Sequence, residues 1–308
     1  MAPFTTSILP AYSPLEQKHQ EIYRPYYILK WRQTKLLVKC SQKVEQPYQP
    51  SLDSERWLVE RLKLSPILLI YLDPDLGEPV LRLWANAGKQ ANKAIFLRIP
   101  SAPGLPRKRS PFSWRLKRLI DWSVAALLLL TLSPIIVGLV LLIQVYLPGP
   151  IFSQHWCIGS RGKLFQLLKF RTMGVNADKL HHQVMTKQRD LPKCQDNLST
   201  LPLGRWIREY SLDKLPQLFN VLRGEMSLVG PRPWTLNDGI QISPEGQWRL
   251  NALPGITGAW QVKAKSTLLD LEKVNNRDLE YLHNWSLWRD LKILLLTVPK
   301  VLFGRGAY

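Results

Sequence analysis

A segment between residues 208 and 233 concentrates residue types that bind and transform phosphate groups, in the sequence REYSLDKLPQLFNVLRGEMSLVGPRP. Asp213 and Lys214 stand side by side, Arg208 precedes them, and Arg232 lies between two prolines. Guanidinium groups bind phosphates through paired hydrogen bonds, and flanking prolines restrict the backbone that carries Arg232. A carboxylate that approaches a diphosphate meets like charge, so such a site needs cations around it.

Other candidates for phosphate contacts lie in the upstream segment KFRTM, which carries Lys169 and Arg171. Gly224 and Gly230 permit tight turns or a close approach of the backbone to phosphate oxygens. Each arginine alone is more often a solvated surface charge.

The net charge is the most unusual bulk property of this 308-residue chain. Its formal value is +19 at pH 7, which favours partners such as anionic lipid, phosphorylated substrates or nucleic acid. The basic run RKRSPFSWRLKR lies directly before the longest apolar stretch. A nucleic-acid binder more often places such charges among exposed aromatic residues or on a recognition helix, so we predict a membrane partner and no nucleic acid.

Three cysteines stand far apart at positions 40, 157 and 194. Without a CxxC pair, a disulfide framework or a zinc site is not expected, and the composition suits a reducing cytosol. The first residues lack the basic and apolar regions of a cleaved secretory signal.

A long apolar segment contains no charged residue between positions 123 and 147. About 20 apolar residues suffice to cross a bilayer, but Ser133 and Pro134 stand near the middle, where proline should kink or break a helix. Basic residues flank both ends, which favours a re-entrant hairpin with both ends in the cytosol. A kinked span and a buried core helix remain the alternatives. The flanking residues counted are Arg115, Lys117, Arg118, Arg161, Lys163, Lys169 and Arg171.

The chain divides by composition into four parts. Residues 1–105 alternate strand and helix patterns, including a helix capped by Ser54, and predict a small α/β accessory domain with some parallel pairing. Residues 106–118 form a basic linker, 119–147 the membrane segment, and 148–308 a cytosolic, helix-rich catalytic domain. The predicted fold class is therefore mixed α/β and membrane-associated.

The C-terminal segment LEYLHNWSLWRDLKILLLTVPKVLF carries an apolar stripe at helical spacing. Tryptophans beside basic residues suit a helix that lies in a membrane interface, whereas the same stripe also suits packing on a protein core. The stripe consists of Leu282, Trp285, Leu287, Leu291, Leu294 and Val298.

Five segments in order resemble the bacterial sugar transferase family, the monotopic phosphoglycosyl transferases. They are KRLIDWSVAALLLLTLSPIIV, PGPIFSQHWCIGSRGKLFQLLKFRTM, REYSLDKLPQLFNVLRGEMSLVGPRP, PGITGAWQV and NWSLWRDLKILLLT. The resemblance covers about residues 112–308. It implies transfer of a sugar 1-phosphate from a UDP-sugar to a polyprenyl phosphate, with release of UMP, at the start of exopolysaccharide or surface glycan assembly.

The resemblance also implies site residues and a location. Asp213 would be the nucleophile, would form an aspartyl phospho-sugar intermediate, and would bind Mg²⁺. The substrate-binding set would be Lys169, Arg171, Arg208, Lys214, Arg232 and Gln261, and Ser133 and Pro134 would shape the membrane segment. The protein would act at the cytoplasmic face of the bacterial inner membrane, as a homodimer or with polysaccharide-assembly proteins.

Two departures from the family pattern bear on activity. Lys214 stands where the family has a glutamate, and Lys263, Ala264 and Lys265 replace a common Gly-Arg pair. A charged lysine cannot coordinate Mg²⁺, although it can lower the pKa of Asp213 or contact the diphosphate. Glu225 is a candidate to compensate. The competing hypothesis is a membrane scaffold that has lost catalysis.

Overall fold

A computed structural model describes residues 27–40, 54–99, 111–146, 149–173, 202–241, 243, 246–262 and 271–302. Residues 263–265, which depart from the family pattern, lie outside these ranges, as do residues 106–110 of the predicted linker. The described residues form helices and strands in a mixed arrangement in which helices predominate, which confirms the α/β fold class.

The N-terminal part forms a four-stranded sheet in the order β1-β2-β3-β4. A hairpin joins β1 to β2, whereas β2, β3 and β4 run parallel, as predicted. Ser54 caps α1 by accepting a hydrogen bond from the Trp57 N–H at 3.5 Å. The elements are β1 (Tyr27–Arg32), β2 (Lys35–Cys40), α1 (Glu55–Leu64), β3 (Leu69–Leu72), α2 (Glu78–Gln90) and β4 (Ala94–Leu97).

The N-terminal sheet packs directly on the following part of the chain. Buried side chains of β3, β4 and α2 share one hydrophobic cluster with Ile158, Leu164 and Trp234. The Trp156 indole N–H also donates to Asn86 Oδ1 at 2.7 Å across this junction. The two parts therefore share a core, and the predicted domain boundaries stay predictions.

Two apolar helices, α3 (Pro111–Thr131) and α4 (Ser133–Tyr146), meet at an angle of 61°. Among the described helices, no single one is long and apolar enough to cross a membrane, but this bent pair meets the length and composition required. The break confirms the prediction at Ser133 and Pro134. Proline has no N–H to offer the Leu130 carbonyl, and the Ser133 hydroxyl donates to that oxygen instead, at 2.8 Å.

The outward faces of the bent pair are apolar, and a buried polar network holds α3 to the rest of the protein. Lys117 Nζ lies 2.8 Å from Asp290 Oδ2 and 3.6 Å from Asp121 Oδ2, with all three side chains almost fully buried. Lys117, a basic flanking residue counted in the sequence, is thus internal. The half-buried Arg118 donates to the Val221 and Met226 carbonyls. Exposed apolar residues on this pair include Leu119, Leu127, Leu130, Val137, Leu141 and Val145.

The remaining part surrounds a three-stranded sheet in the order β6-β5-β8 and a parallel pair of β7 with β9. The segment KLFQLLKF contains a strand, and LDKLPQLFNVLRG forms a 3₁₀ turn followed by a short α-helix. The elements are β5 (Phe152–Ile158), β6 (Leu164–Phe170), α5 (Pro202–Glu209), α6 (Gln217–Leu222), β7 (Ser227–Val229), β8 (Trp234–Thr235), α7 (Leu236–Gln241), β9 (Gly255–Thr257), α8 (Ala259–Val262), α9 (Leu271–His283) and α10 (Leu287–Leu302).

The C-terminal apolar stripe spans two helices, because Ser286 caps a new helix by accepting from the Arg289 N–H at 3.2 Å. Leu282 is fully buried, and Trp285 and Leu294 pack on the core. Leu291 and Val298, by contrast, are exposed on α10 together with Trp288 and Leu295. One portion of the stripe thus packs internally, and the other leaves an apolar face uncovered. Its placement in a membrane interface stays a prediction.

Candidate active site

Asp213 lies in a 3₁₀ turn, Leu212–Lys214, that follows α5 after two residues. Ser211 precedes the turn in the left-handed region at φ 54°, a conformation that costs about 1–2 kcal/mol in an L-residue. Leu212 begins the turn and Leu215 follows it, and both pack against a cluster that contains Leu139 and Ile143 of α4. The turn and the second helix of the bent apolar pair therefore share a hydrophobic cluster.

The Asp213 carboxylate is largely removed from water and is incompletely paired. Its Oδ1 is buried and has no hydrogen-bond partner among the described residues. Burial raises the pKa of Asp213, and the positive charges of Lys214, Lys169 and Arg208 oppose that rise. A carboxylate oxygen that is desolvated, unpaired and surrounded by cations suits nucleophilic attack on an anionic substrate.

Lys214 and Arg232 converge on the indole ring of Trp260. The Lys214 Nζ lies 5.8 Å from the ring centroid, and the Arg232 guanidinium carbon lies 5.5 Å from it. Burial lowers the pKa of Lys214 to about 8, an effect that Asp213 opposes and that Lys169 and Arg232 reinforce. The family pattern has a glutamate at this position. In this chain the position carries the Lys214 ammonium, which interacts electrostatically with Asp213.

Arg208 and Lys169 approach the site from different elements. Lys169 lies near the end of β6, and Arg208 belongs to the last turn of α5. The Arg208 Nε–H donates to Thr172 Oγ1 at 2.7 Å, which leaves its terminal nitrogens available for a ligand. Arg171 is buried just before Thr172, and its backbone N–H donates to the Ile151 carbonyl at 2.9 Å.

A buried ion pair fixes the backbone that carries Arg232. Arg249 and Asp278 are inaccessible to solvent and lie 3.0 Å apart. Asp278 Oδ2 accepts a hydrogen bond from the Arg232 N–H at 3.0 Å, and Arg249 donates to the Arg232 carbonyl. The Arg249 guanidinium also stacks on Trp234, 3.6 Å from its ring centroid. Both polar backbone groups of Arg232 are thus held by charged partners.

Glycine is needed at positions 224 and 230 for different structural reasons. Gly224 has φ +87°, a left-handed conformation that ends the turn after α6. Gly230 allows backbone contact, because an added Cβ would lie 2.5 Å from the Leu253 carbonyl oxygen. Both therefore shape the protein backbone around the site.

Glu225 does not join the charge cluster around Asp213. Its carboxylate accepts from Asn220 Nδ2 at 2.6 Å, and the same amide group donates to the Gln166 carbonyl at 2.8 Å. Glu225 is also not among the charges that perturb the pKa of Asp213. The proposed compensation for the missing glutamate therefore finds no support in this geometry.

The structure assembles most of the predicted site from distant parts of the sequence. Asp213, Lys214, Lys169 and Arg208 interact electrostatically, and Lys214 also feels the charge of Arg232. Gln261 is buried next to Trp260, and no described residue binds its side-chain oxygen. Sequence reasoning missed Trp260, Thr172, Arg249 and Asp278. Trp260 was detectable as the aromatic residue of GAWQV, whereas the buried ion pair had no local signal.

The donor set does not suit a resident magnesium ion. Mg²⁺ binds through carboxylate oxygens, phosphates and water. Across the ranges that the structure describes, no three His, Cys, Asp or Glu side chains come together to hold a metal. The one carboxylate of this cluster has three cationic side chains as neighbours, those of Lys214, Lys169 and Arg208, and like charge repels a further cation. The Mg²⁺ predicted from the family resemblance stays a prediction.

Most of the chain is similar in sequence to known proteins. A family profile described as bacterial sugar transferase matches residues 112–304. Exopolysaccharide production protein ExoY of Sinorhizobium fredii is 36% identical over 231 residues, which cover 72% of this chain and 99% of ExoY. UDP-glucose:undecaprenyl-phosphate glucose-1-phosphate transferase of Caulobacter vibrioides is 40% identical over 213 residues, or 67% of this chain and 76% of that protein. Galactosyl transferase CpsE of Streptococcus agalactiae is 37% identical over 196 residues, or 62% of this chain; the aligned part spans 43% of the length of CpsE.

Proposed function

The chain belongs to the bacterial sugar transferase family, and we propose that it transfers a sugar 1-phosphate from a UDP-sugar to a polyprenyl phosphate, such as undecaprenyl phosphate. The Caulobacter relative is named for this type of donor and acceptor, and ExoY is named for exopolysaccharide production. The product would be the lipid diphosphate sugar that begins assembly of an exopolysaccharide or surface glycan.

The proposed reaction has two displacements at phosphorus. An Asp213 oxygen attacks the phosphate that bears the sugar, and the bond to the UMP phosphate breaks, so that UMP leaves with the electron pair. A phosphate oxygen of the polyprenyl phosphate then attacks the aspartyl phospho-sugar. The bond from Asp213 to phosphorus breaks, which restores the carboxylate and completes the lipid diphosphate sugar.

The unpaired, buried oxygen of Asp213 within a group of cations is the observation that carries this proposal. Lys169, Arg208, Lys214 and Arg232 would bind the donor diphosphate and stabilise the charge on the departing UMP. Trp260 and the Arg249–Asp278 ion pair would hold two of these cations in place. A protein that had become a pure scaffold would have no need for this arrangement.

We further propose that the protein acts at the cytoplasmic face of the bacterial inner membrane, with α3 and α4 as a re-entrant hairpin. The 61° bend, the apolar outer faces of both helices and the exposed face of α10 support this placement. Because Leu212 and Leu215 pack against a cluster to which α4 contributes Leu139 and Ile143, Asp213 would lie close to the lipid surface that supplies the acceptor. Self-association and assembly partners stay predictions.

Purified protein in lipid nanodiscs should release UMP from at least one member of a panel of UDP-sugars when polyprenyl phosphate is present. Asp213→Ala should abolish release, whereas Glu209→Gln, which neutralises an exposed acid of α5, should retain it. Without acceptor lipid, mass spectrometry should detect a phospho-sugar on Asp213. Undiminished release by the Asp213→Ala protein would refute the nucleophile, and failure of wild type with every donor would favour the scaffold.

A further inference from the structure

We propose that Lys214 supplies the positive charge that a divalent metal ion would otherwise supply beside Asp213, so that this chain binds the donor diphosphate without a metal. The inference deepens the proposed function and rests on it. Lys214 carries a positive charge at the position where the family pattern has a negatively charged glutamate.

The charge count around Asp213 supports this inference. Lys169, Arg208, Lys214 and Arg232 act together with one carboxylate, which leaves a formal charge of +3 on the cluster. The diphosphate of a UDP-sugar carries one negative charge on each phosphate. The side chains alone are therefore sufficient to neutralise the donor, and an added dication would leave a large positive excess in a partly buried site.

The substitution of lysine for glutamate has the same charge effect as binding one dication. Glutamate at position 214 would lower the formal charge of the cluster by two, and one Mg²⁺ would restore it. A lysine at this position and a glutamate with bound Mg²⁺ are therefore equivalent in total charge. They differ in where the charge lies, because the lysine ammonium is tethered to the turn that carries Asp213.

The contacts of Lys214 leave its ammonium available to a ligand. Its Nζ lies 5.8 Å from the Trp260 ring centroid and forms no hydrogen bond or salt bridge with the residues that the structure describes. The backbone N–H of Lys214 donates to the Ser211 carbonyl at 3.2 Å, which fixes the start of the side chain. Arg232 approaches the same indole ring, so two cations flank one aromatic surface.

Metal dependence of nucleotide binding tests the inference without requiring turnover. Calorimetric titration with UDP would compare full-length protein in EDTA with protein in Mg²⁺. Wild type should bind UDP in both conditions with dissociation constants that agree within about threefold. Lys214→Glu should bind at least about tenfold more weakly in EDTA and recover in Mg²⁺, because its site lacks the tethered charge. Arg205→Gln, which removes an exposed positive charge from α5, should match wild type.

Turnover provides the second measurement. Wild type should release UMP in EDTA at a rate within about threefold of the rate in Mg²⁺, whereas Lys214→Glu should depend on the metal. Wild-type binding and turnover that both require Mg²⁺, or no UDP binding in either condition, would overturn the inference. Metal-independent UDP binding without UMP release would instead uphold the role of Lys214 and reject the proposed function. Failure of metal-independent nucleotide binding and failure of the proposed transferase activity are therefore distinguishable.

Discussion

Asp278→Asn tests whether the buried ion pair behind Arg232 stabilises the protein and positions the site. Asparagine has nearly the same shape as aspartate, and its amide oxygen can still accept from the Arg232 N–H. It removes the negative charge that lies 3.0 Å from Arg249 in a region closed to solvent. The variant therefore leaves a buried guanidinium without its counter-charge.

The expected cost follows from that burial. Removing one partner of a buried ion pair destabilises a protein by about 3–5 kcal/mol. Alanine would in addition leave the Arg232 N–H unpaired, at a further cost of about 1–3 kcal/mol. Since the whole free energy of unfolding of a domain is about 5–15 kcal/mol, asparagine is the more informative change. At roughly 2–4 °C per kcal/mol, the unfolding midpoint should fall by roughly 6–20 °C.

The assay is thermal unfolding in nanodiscs, followed by far-ultraviolet circular dichroism, together with donor kinetics at a temperature where the variant is folded. The KM for the UDP-sugar should rise about tenfold, since a less firmly held Arg232 loses about 1.4 kcal/mol of phosphate binding. Glu280→Gln is the matched control, because Glu280 lies on the same helix in an exposed pair with Arg289. Equal midpoints for Asp278→Asn and Glu280→Gln would refute the reasoning.

Two further predictions concern Lys214 and Lys117. The kcat/KM for the donor should fall as pH rises through about 8, because Lys214 loses its positive charge there, and Lys214→Arg should remove this alkaline limb from the pH–rate profile. An unchanged limb in Lys214→Arg would assign it to another group. Lys117→Met should destabilise the protein by about 3–5 kcal/mol, since Asp290 and Asp121 lose their shared ammonium, whereas Arg115→Met at an exposed position should change the unfolding midpoint little. Similar midpoints for these two variants would show that the network does not anchor α3.

Local features of the fold were predictable because neighbouring residues determine them. Ser54 caps a helix through its own hydroxyl, and Pro134 breaks an apolar helix because it lacks a backbone donor. The strand pattern of the N-terminal sheet follows from short apolar runs that alternate with amphipathic helices. The family resemblance likewise required only motifs that are contiguous in the sequence, and the family match confirmed it.

The sequence by itself therefore determined the elements, the helix break and the residue types that act on phosphate. The tertiary structure decided which of these residues meet. Lys169, Asp213 and Trp260 come from separate elements of secondary structure, and the ion pair of Arg249 with Asp278 joins two further elements. It also decided that Lys117 is internal, although the sequence placed it in a basic flank. Such pairings depend on packing between distant segments, and a local pattern carries no information about which distant charge will compensate a buried one.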